Sequence, residues 1–131
     1  EKQPKKMVVV GAGAIGVEFA YFYASIGTEV TIVEFMEQGL VPREDADISK
    51  ELAKSFKKMG INVLANTSVE QVEKLSSGVR VTAKNRKDNS TQIIEADLVL
   101  SAAGVSPNIE DIGLEKLGIV VEKKINFIKL I

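Results

Sequence analysis

The 131-residue chain contains no cysteine and no histidine. Without cysteine it can form no disulfide, offer no thiolate nucleophile and carry no redox dithiol. Without histidine it lacks the commonest general base and metal ligand, so neither a catalytic residue nor a metal site is expected. Tryptophan is absent too, and 5 Phe and 2 Tyr are the whole aromatic supply. An excess of either charge is also missing, since 17 Lys and Arg are scattered among 18 Asp and Glu. That balance excludes a basic footprint for nucleic acid. No uniformly apolar run is long enough for a membrane span. Lys2, Lys5 and Lys6 precede a stretch, Met7 to Thr28, whose single charge is Glu18, an arrangement that imitates a secretory signal. Gly11, Gly13, Gly16 and Glu18 interrupt it, and a signal or a span needs an unbroken apolar core. The expectation is a protein without a membrane segment. Its default compartment is the cytoplasm, or the mitochondrial matrix for a eukaryotic source.

What is present is organised around one stretch. Met7-Val8-Val9-Val10 has the composition of a buried strand and runs into Gly11-Ala12-Gly13-Ala14-Ile15-Gly16. An apolar pattern at helical spacing follows, with Ile15, Phe19, Phe22 and Ile26 as its stripe. A second apolar run, Thr31-Ile32-Val33, ends in Glu34. Strand, Gly-x-Gly-x-x-Gly turn, helix, strand and acid within about 30 residues form a dinucleotide-binding pattern. Each glycine has its own physical reason. Gly11 turns the chain off the strand, Gly13 leaves room for a pyrophosphate, and Gly16 lets the helix pack closely. Free N–H groups at the helix start, in the turn that includes Ala12, Ala14 and Ile15, then face the phosphates with the helix dipole behind them. Glu34 is placed to accept the hydroxyls of the adenosine ribose. A methyl-donor site also uses a glycine-rich first turn and an acid after the second strand, but the full glycine spacing disfavours it.

The remaining chain extends this start. Glu1 to Lys6 is polar, contains Pro4, and has the character of a linker tail on a single domain of residues 1–131. Gly27 is placed to end the first helix. After a loop from Phe35 to Arg43, a second helix is expected over roughly Asp45 to Met59, with Ile48, Leu52, Phe56 and Met59 as its stripe. Its acids lie at the start and its lysines, Lys54, Lys57 and Lys58, near the end, as the dipole favours. Ile61 to Leu64 supplies a short third strand. Val69 and Val72, then Val79, Val81 and Ala83 in alternation, then Thr91 to Glu95, suggest a three-stranded antiparallel meander. Leu98-Val99-Leu100, fully apolar, is expected to rejoin a buried parallel sheet. The small-residue turn Ser101-Ala102-Ala103-Gly104 follows at its carboxyl end, where ligands sit in such sheets. Ile119 to Ile131 is strand-like.

Taken together these segments resemble the central NAD-binding domain of the flavoprotein disulfide reductases, a pyridine nucleotide-disulfide oxidoreductase family. They are most similar to its dihydrolipoamide dehydrogenase branch. The residues that carry the resemblance are Val10 to Glu18, Val30 to Glu34, Pro42 to Ser49, Asn66 to Val69, Leu98 to Asn108 and Leu114 to Ile119. The fold it implies is α/β, a Rossmann-like parallel sheet with helices on one face and the meander on the other. It implies that Gly11, Gly13 and Gly16 lie under the pyrophosphate, Glu34 on the ribose and Val69 beside the adenine. Ala103, Gly104 and Glu18 would lie near the nicotinamide. Val105 stands where many members have Arg. Ala14 stands where glutathione-reducing relatives often have Tyr, which favours the lipoamide branch. Residues Glu122 to Ile131 fit the family pattern poorly.

The same resemblance implies a larger parent enzyme. There, a dihydrolipoyl dithiol reduces an active-site disulfide, electrons pass to FAD, and NAD accepts the hydride. FAD-binding segments, the cysteine pair and the catalytic histidine are not in this sequence, so the chain is expected to be an inactive, excised NAD(H)-binding domain. Its partners would be the FAD and interface domains of that parent, itself a homodimer in a 2-oxo acid dehydrogenase complex. Another disulfide reductase, an NADH oxidase, or a non-catalytic NAD-sensing module are the alternatives. From Phe35 to Leu40 there is no Arg or Lys, so NAD is expected over NADP.

Overall fold

The computed structural model describes residues 2–119, 121–122 and 127–128. Its architecture follows from the side-chain alternation of the first strand, β1 (Lys6–Val10), which is apolar at every position after Lys6. Met7 and Val9 project to one face and Val8 and Val10 to the other, and Met7, Val8 and Val9 are at most 2% exposed. A strand buried on both faces belongs in the middle of a layered sheet. β1 pairs in parallel with β2 (Glu29–Val33) on one side and β7 (Leu98–Ser101) on the other. β2 pairs in parallel with β3 (Asn62–Leu64), giving the order β3-β2-β1-β7.

Helices α1 (Ala14–Ser25) and α2 (Ala46–Lys58) cover the face of Met7, Val9, Val30 and Ile32, with Phe56 of α2 buried against it. The antiparallel meander β4 (Thr67–Lys74), β5 (Val79–Asn85) and β6 (Thr91–Ala96) covers the opposite face. There Val81 and Ala83 close on Val8 and Val33. Fully burying a Val-sized side chain is worth about 1.5–3 kcal/mol, so these two apolar layers supply the main driving force for the arrangement. The three-layer fold is the one the family resemblance implied. Among the described residues, no helix is long and apolar enough to cross a membrane.

Three expectations are corrected. The stripe Ile15, Phe19, Phe22 and Ile26 is not the buried face of α1, since each of these residues is 44–55% exposed. Gly16, Val17 and Ala20 face the sheet instead. A helix this rich in apolar residues satisfies the helical period on more than one face, and the close approach of the glycine turn selects the face with the smallest side chains. In α2, Phe56 is buried, but Ile48 is 53% exposed and Ser49 takes the inward position. The Ser49 hydroxyl donates to the carbonyl of Leu40 at 2.6 Å, so it holds the preceding loop. Leu98 to Leu100 joins the parallel sheet as expected, yet on its edge, which leaves Leu98 42% exposed and the other two half-buried. Beyond a short 3-10 turn at Glu115–Leu117, two-residue strands β8 (Val121–Glu122) and β9 (Phe127–Ile128) pair antiparallel. The rest of the strand-like tail lies outside the described residues.

The N-terminal segment is tied to the domain. The Gln3 side-chain amide donates to the Ile26 carbonyl at 2.6 Å, and the Thr28 hydroxyl donates to the Pro4 carbonyl at 2.8 Å. Asp97, between β6 and β7, accepts the backbone N–H groups of Lys5 and Lys6 on one carboxylate oxygen, at 2.7 and 2.8 Å. The N–H of Lys6, then that of Lys5, holds the Asp97 carboxyl below its ordinary value of 3.8. A carboxyl depressed in the folded state stabilises above its unfolded value and loses that contribution as pH falls through the folded one. Asp97→Ala is therefore expected to lower Tm at pH 7, with the gap from the parent narrowing as pH drops below 3.8. Thermal melts across that range check this, and a pH-independent gap would contradict it.

Candidate functional site

The parallel register of β2, β1 and β7 brings three chain turns together at the carboxyl ends of the strands. Glu34 leaves β2, the glycine turn leaves β1, and Ala102-Ala103-Gly104 leaves β7. Neighbouring strands lie about 4.8 Å apart, so a ligand crossing all three strand ends would span about 10 Å. The turns are locked to one another through backbone. The Gly11 N–H donates to the Val33 carbonyl at 2.9 Å, and the Ala102 N–H donates to the Val10 carbonyl at 2.7 Å. The Val41 N–H reaches the Ala12 carbonyl at 2.7 Å and so pins the loop after β2 to the glycine turn.

The three motif glycines answer to different constraints. Gly11 has φ +101°, and a Cβ there would come within 2.5 Å of the Ala102 carbonyl oxygen. A Cβ on Gly16 would overlap the carbonyl oxygen of Gly11. Gly16 thus packs against the turn itself and against Ala102. Gly13 is different. Its φ of −68° suits any residue, and a Cβ there would meet nothing within 4 Å. The fold gives no reason for glycine at position 13. A small residue facing open space at the N-cap of α1 leaves a cradle that a side chain would fill. No side chain caps α1, and its first turn carries no acid. The leading N–H groups of the helix therefore have no side-chain partner, an arrangement that suits an anion.

Glu34 stands beside this end and is only 6% exposed. One carboxylate oxygen accepts the Ala12 N–H at 2.6 Å and the other the Met36 N–H at 2.8 Å. An ionised carboxylate offers about four acceptor positions, so two remain for hydroxyl donors. The loop that follows is gripped from the β3–β4 connection. The Asn66 N–H donates to the Met36 carbonyl at 3.1 Å and the Thr67 N–H to the Glu34 carbonyl at 2.9 Å.

The other expected site residues fall in two groups. Ala103 and Gly104 are exposed at the end of β7, adjacent to the glycine turn, with Val105 84% exposed beyond them. Val69 lies three residues after Asn66, half-buried on β4 against the meander-side core. Glu18 is exposed on α1, in a shallow depression shared with Phe19 and Phe22. Sequence reasoning missed Arg86. This residue follows β5, and its guanidinium carbon lies 3.7 Å from the centre of the Phe35 ring. One of its terminal nitrogens donates to the Phe35 carbonyl at 3.2 Å. Nothing in the sequence links positions 35 and 86. Among the described residues no cluster of acids could hold a metal ion.

The profile of the pyridine nucleotide-disulphide oxidoreductases matches residues 1–129. The chain belongs to this family. It is 46% identical over 118 residues to a dihydrolipoyl dehydrogenase of Mycobacterium bovis and 47% identical over 118 residues to that of Mycobacterium leprae. Each match covers 90% of this chain and 25% of the relative, so the chain spans about a quarter of the length of these curated relatives. Among solved structures it is similar to LpdA of Mycobacterium tuberculosis, with TM-score 0.80 and 33% identity over 96% of this chain and 26% of that one. It is also similar to a water-forming NADH oxidase from Lactobacillus brevis, determined bound to NADH. That match has TM-score 0.76 and 25% identity over 92% of this chain and 25% of the other.

The steric contrast between the glycines is directly measurable. Overfilling a packed site costs about 1–3 kcal/mol, and a clash with backbone lies at the upper end of that range. Gly16→Ala is expected to lower Tm by several degrees, whereas Gly13→Ala leaves it nearly unchanged. Equal melting losses for the two variants would contradict the assignment.

Proposed function

We propose that this chain is the NAD(H)-binding domain of a flavoprotein dihydrolipoamide dehydrogenase. The observation that carries the reading is Gly13. It is a glycine that the fold does not require, opening onto an uncapped helix N-terminus one strand away from a buried, ribose-ready carboxylate. The steric opening fits a pyrophosphate, and the donor set fits its charge. Gly11 to Gly16, with Ala12, Ala14 and Ile15 between them, would present backbone to the diphosphate. Glu34 would hold the adenosine ribose and Val69 would flank the adenine. Ala103 and Gly104 would border the nicotinamide amide, with Glu18 one turn along α1. The high identity to dihydrolipoyl dehydrogenases supports the lipoamide branch over other disulfide reductases.

The bound dinucleotide supplies the hydride-accepting ring, and this domain's work is to bind and orient it. Dithiol exchange needs a thiolate, and the chain has no cysteine. Those steps, and FAD, belong to the rest of the parent protein, for which a homodimer within a 2-oxo acid dehydrogenase complex is part of the same proposal. The purified chain is expected to bind NAD weakly and to show no dihydrolipoamide–NAD turnover.

Calorimetry tests the central claim. Gly13→Val places a branched side chain in the cradle, and NAD binding is expected to fall below detection while circular dichroism remains that of the folded parent. Unchanged affinity in a folded Gly13→Val protein would overturn the proposed diphosphate position. A second titration tests Glu34. Like charges about 4 Å apart cost roughly 4 kcal/mol at an effective dielectric near 20, before solvent relaxation reduces it. The unmodified chain is therefore expected to prefer NAD strongly over NADP at moderate salt, and equal affinities would contradict the role given to Glu34.

A further inference from the structure

The adenosine end of this site carries a cation that the local sequence lacks. From Met7 to Pro42 there is no Lys or Arg, and none occurs from Leu98 to Glu115. The segments that form the three turns at the strand ends are therefore free of fixed positive side chains. Arg86 arrives from the β5–β6 hairpin by tertiary folding. Its backbone N–H donates to the Asn66 carbonyl at 2.8 Å, which anchors the hairpin to the same connection that grips Met36. Its guanidinium stacks over Phe35 at 3.7 Å, donates to the Phe35 carbonyl at 3.2 Å and approaches Asn66 Oδ1 at 3.5 Å. Phe35 is the residue immediately after Glu34.

Two features make this guanidinium available to a ligand. The first is that its charge is uncommitted. Arg86 forms no ion pair within 4 Å among the described residues, whereas Arg80 on the same hairpin is taken by Glu95 and Glu73. Asp88, two residues on, makes no ion pair with it within 4 Å, and its Oδ1 accepts the N–H and hydroxyl of Ser90. The second is that its geometry is preset. A guanidinium has five N–H donors, and stacking plus the Phe35 carbonyl hold it in place while engaging one terminal nitrogen. The remaining donors form a fork suited to phosphate oxygens.

We propose that Arg86 is a second specificity determinant of the nucleotide site, a latent anchor for a phosphate on the adenosine ribose. Cofactor choice is then set by the balance of two charges next to Phe35, one on the residue before it and one stacked on its ring. Glu34 accepts ribose hydroxyls and repels a 2′-phosphate, and Arg86 attracts one. With Glu34 present the carboxylate dominates, because it is buried and fixed by two N–H groups while Arg86 is exposed. With Glu34 removed, Arg86 becomes the group that decides NADP affinity. This inference rests on the dinucleotide reading above.

The test is a cycle of variants in the whole 131-residue chain, titrated with NAD and NADP by calorimetry. In the Glu34→Ala background, adding Arg86→Ala is expected to weaken NADP at least about fivefold more than NAD, with Arg86→Lys intermediate. Adenosine 2′,5′-diphosphate against 5′-AMP gives the same comparison with Glu34 intact, so the result survives a Glu34 variant that does not fold. There Arg86→Ala is expected to weaken the diphosphate by the larger factor. A loss confined to the 2′-phosphorylated ligands separates recognition from a merely structural role, which would weaken both members of each pair alike. Equal losses, or none, in both comparisons would overturn the role of Arg86 while leaving the dinucleotide reading standing. Failure of the unmodified chain to bind NAD at all would overturn both.

Discussion

Backbone packed against backbone at Gly11 is the constraint on which the rest of the structure depends. Its α-carbon lies so near the Ala102 carbonyl that no side chain fits, and the Gly11 carbonyl in turn excludes a side chain from Gly16. These two exclusions set the height of α1 above the sheet. With the helix so close, small side chains must face inward, and Gly16, Val17 and Ala20 do so. The bulky residues of the same helix, Ile15, Phe19, Phe22 and Ile26, are turned outward as a consequence. The same contact, with the Ala102 N–H on the Val10 carbonyl, joins the ends of β1 and β7.

Glu34 links architecture to chemistry in a different way. Its two carboxylate oxygens hold the N–H groups of Ala12 and Met36, and its own N–H donates to the Leu64 carbonyl at 2.9 Å. A buried charge is tolerated only when hydrogen-bonded, and these donors meet that requirement without any cation. The carboxylate is thereby a structural clasp between the β1 turn and the loop after β2. Acceptor capacity still remains on it. A group held this firmly by backbone donors would lose little freedom on engaging a ligand.

Much of this was legible in the sequence because local rules and tertiary demands coincide. Met7, Val8 and Val9 form a strand buried on both sides, and the helix from Ala46 to Lys58 lies within one residue of its expected ends at each terminus. Val81 and Ala83 alternate inward as a half-buried strand should. What failed was the phase of α1, because periodicity counts apolar residues without weighing their size, and the glycine contact selects for size. The apolar composition of Leu98-Val99-Leu100 points to burial, yet nothing local distinguishes an edge strand from a central one. Arg86 was illegible for a further reason. It meets Phe35 only because the meander folds back over the sheet, a contact between residues 51 positions apart.

The distribution of charge bears on what the carboxyl ends of the parallel strands could recognise. The segments at their centre contain no lysine or arginine, while an acid sits at one side. A diphosphate placed here would be held by helix N–H groups and the dipole behind them, donors that are directional and fixed by the backbone. Backbone donors discriminate by shape and position, and they do not reward additional negative charge wherever it falls. Net charge −1 for the whole chain reinforces this, since no long-range field draws polyanions to the surface. Selectivity among nucleotides bound here would then fall to the few side-chain charges within reach. Two such charges of opposite sign meet at Phe35, with Glu34 the residue before it in the chain and Arg86 stacked on its ring.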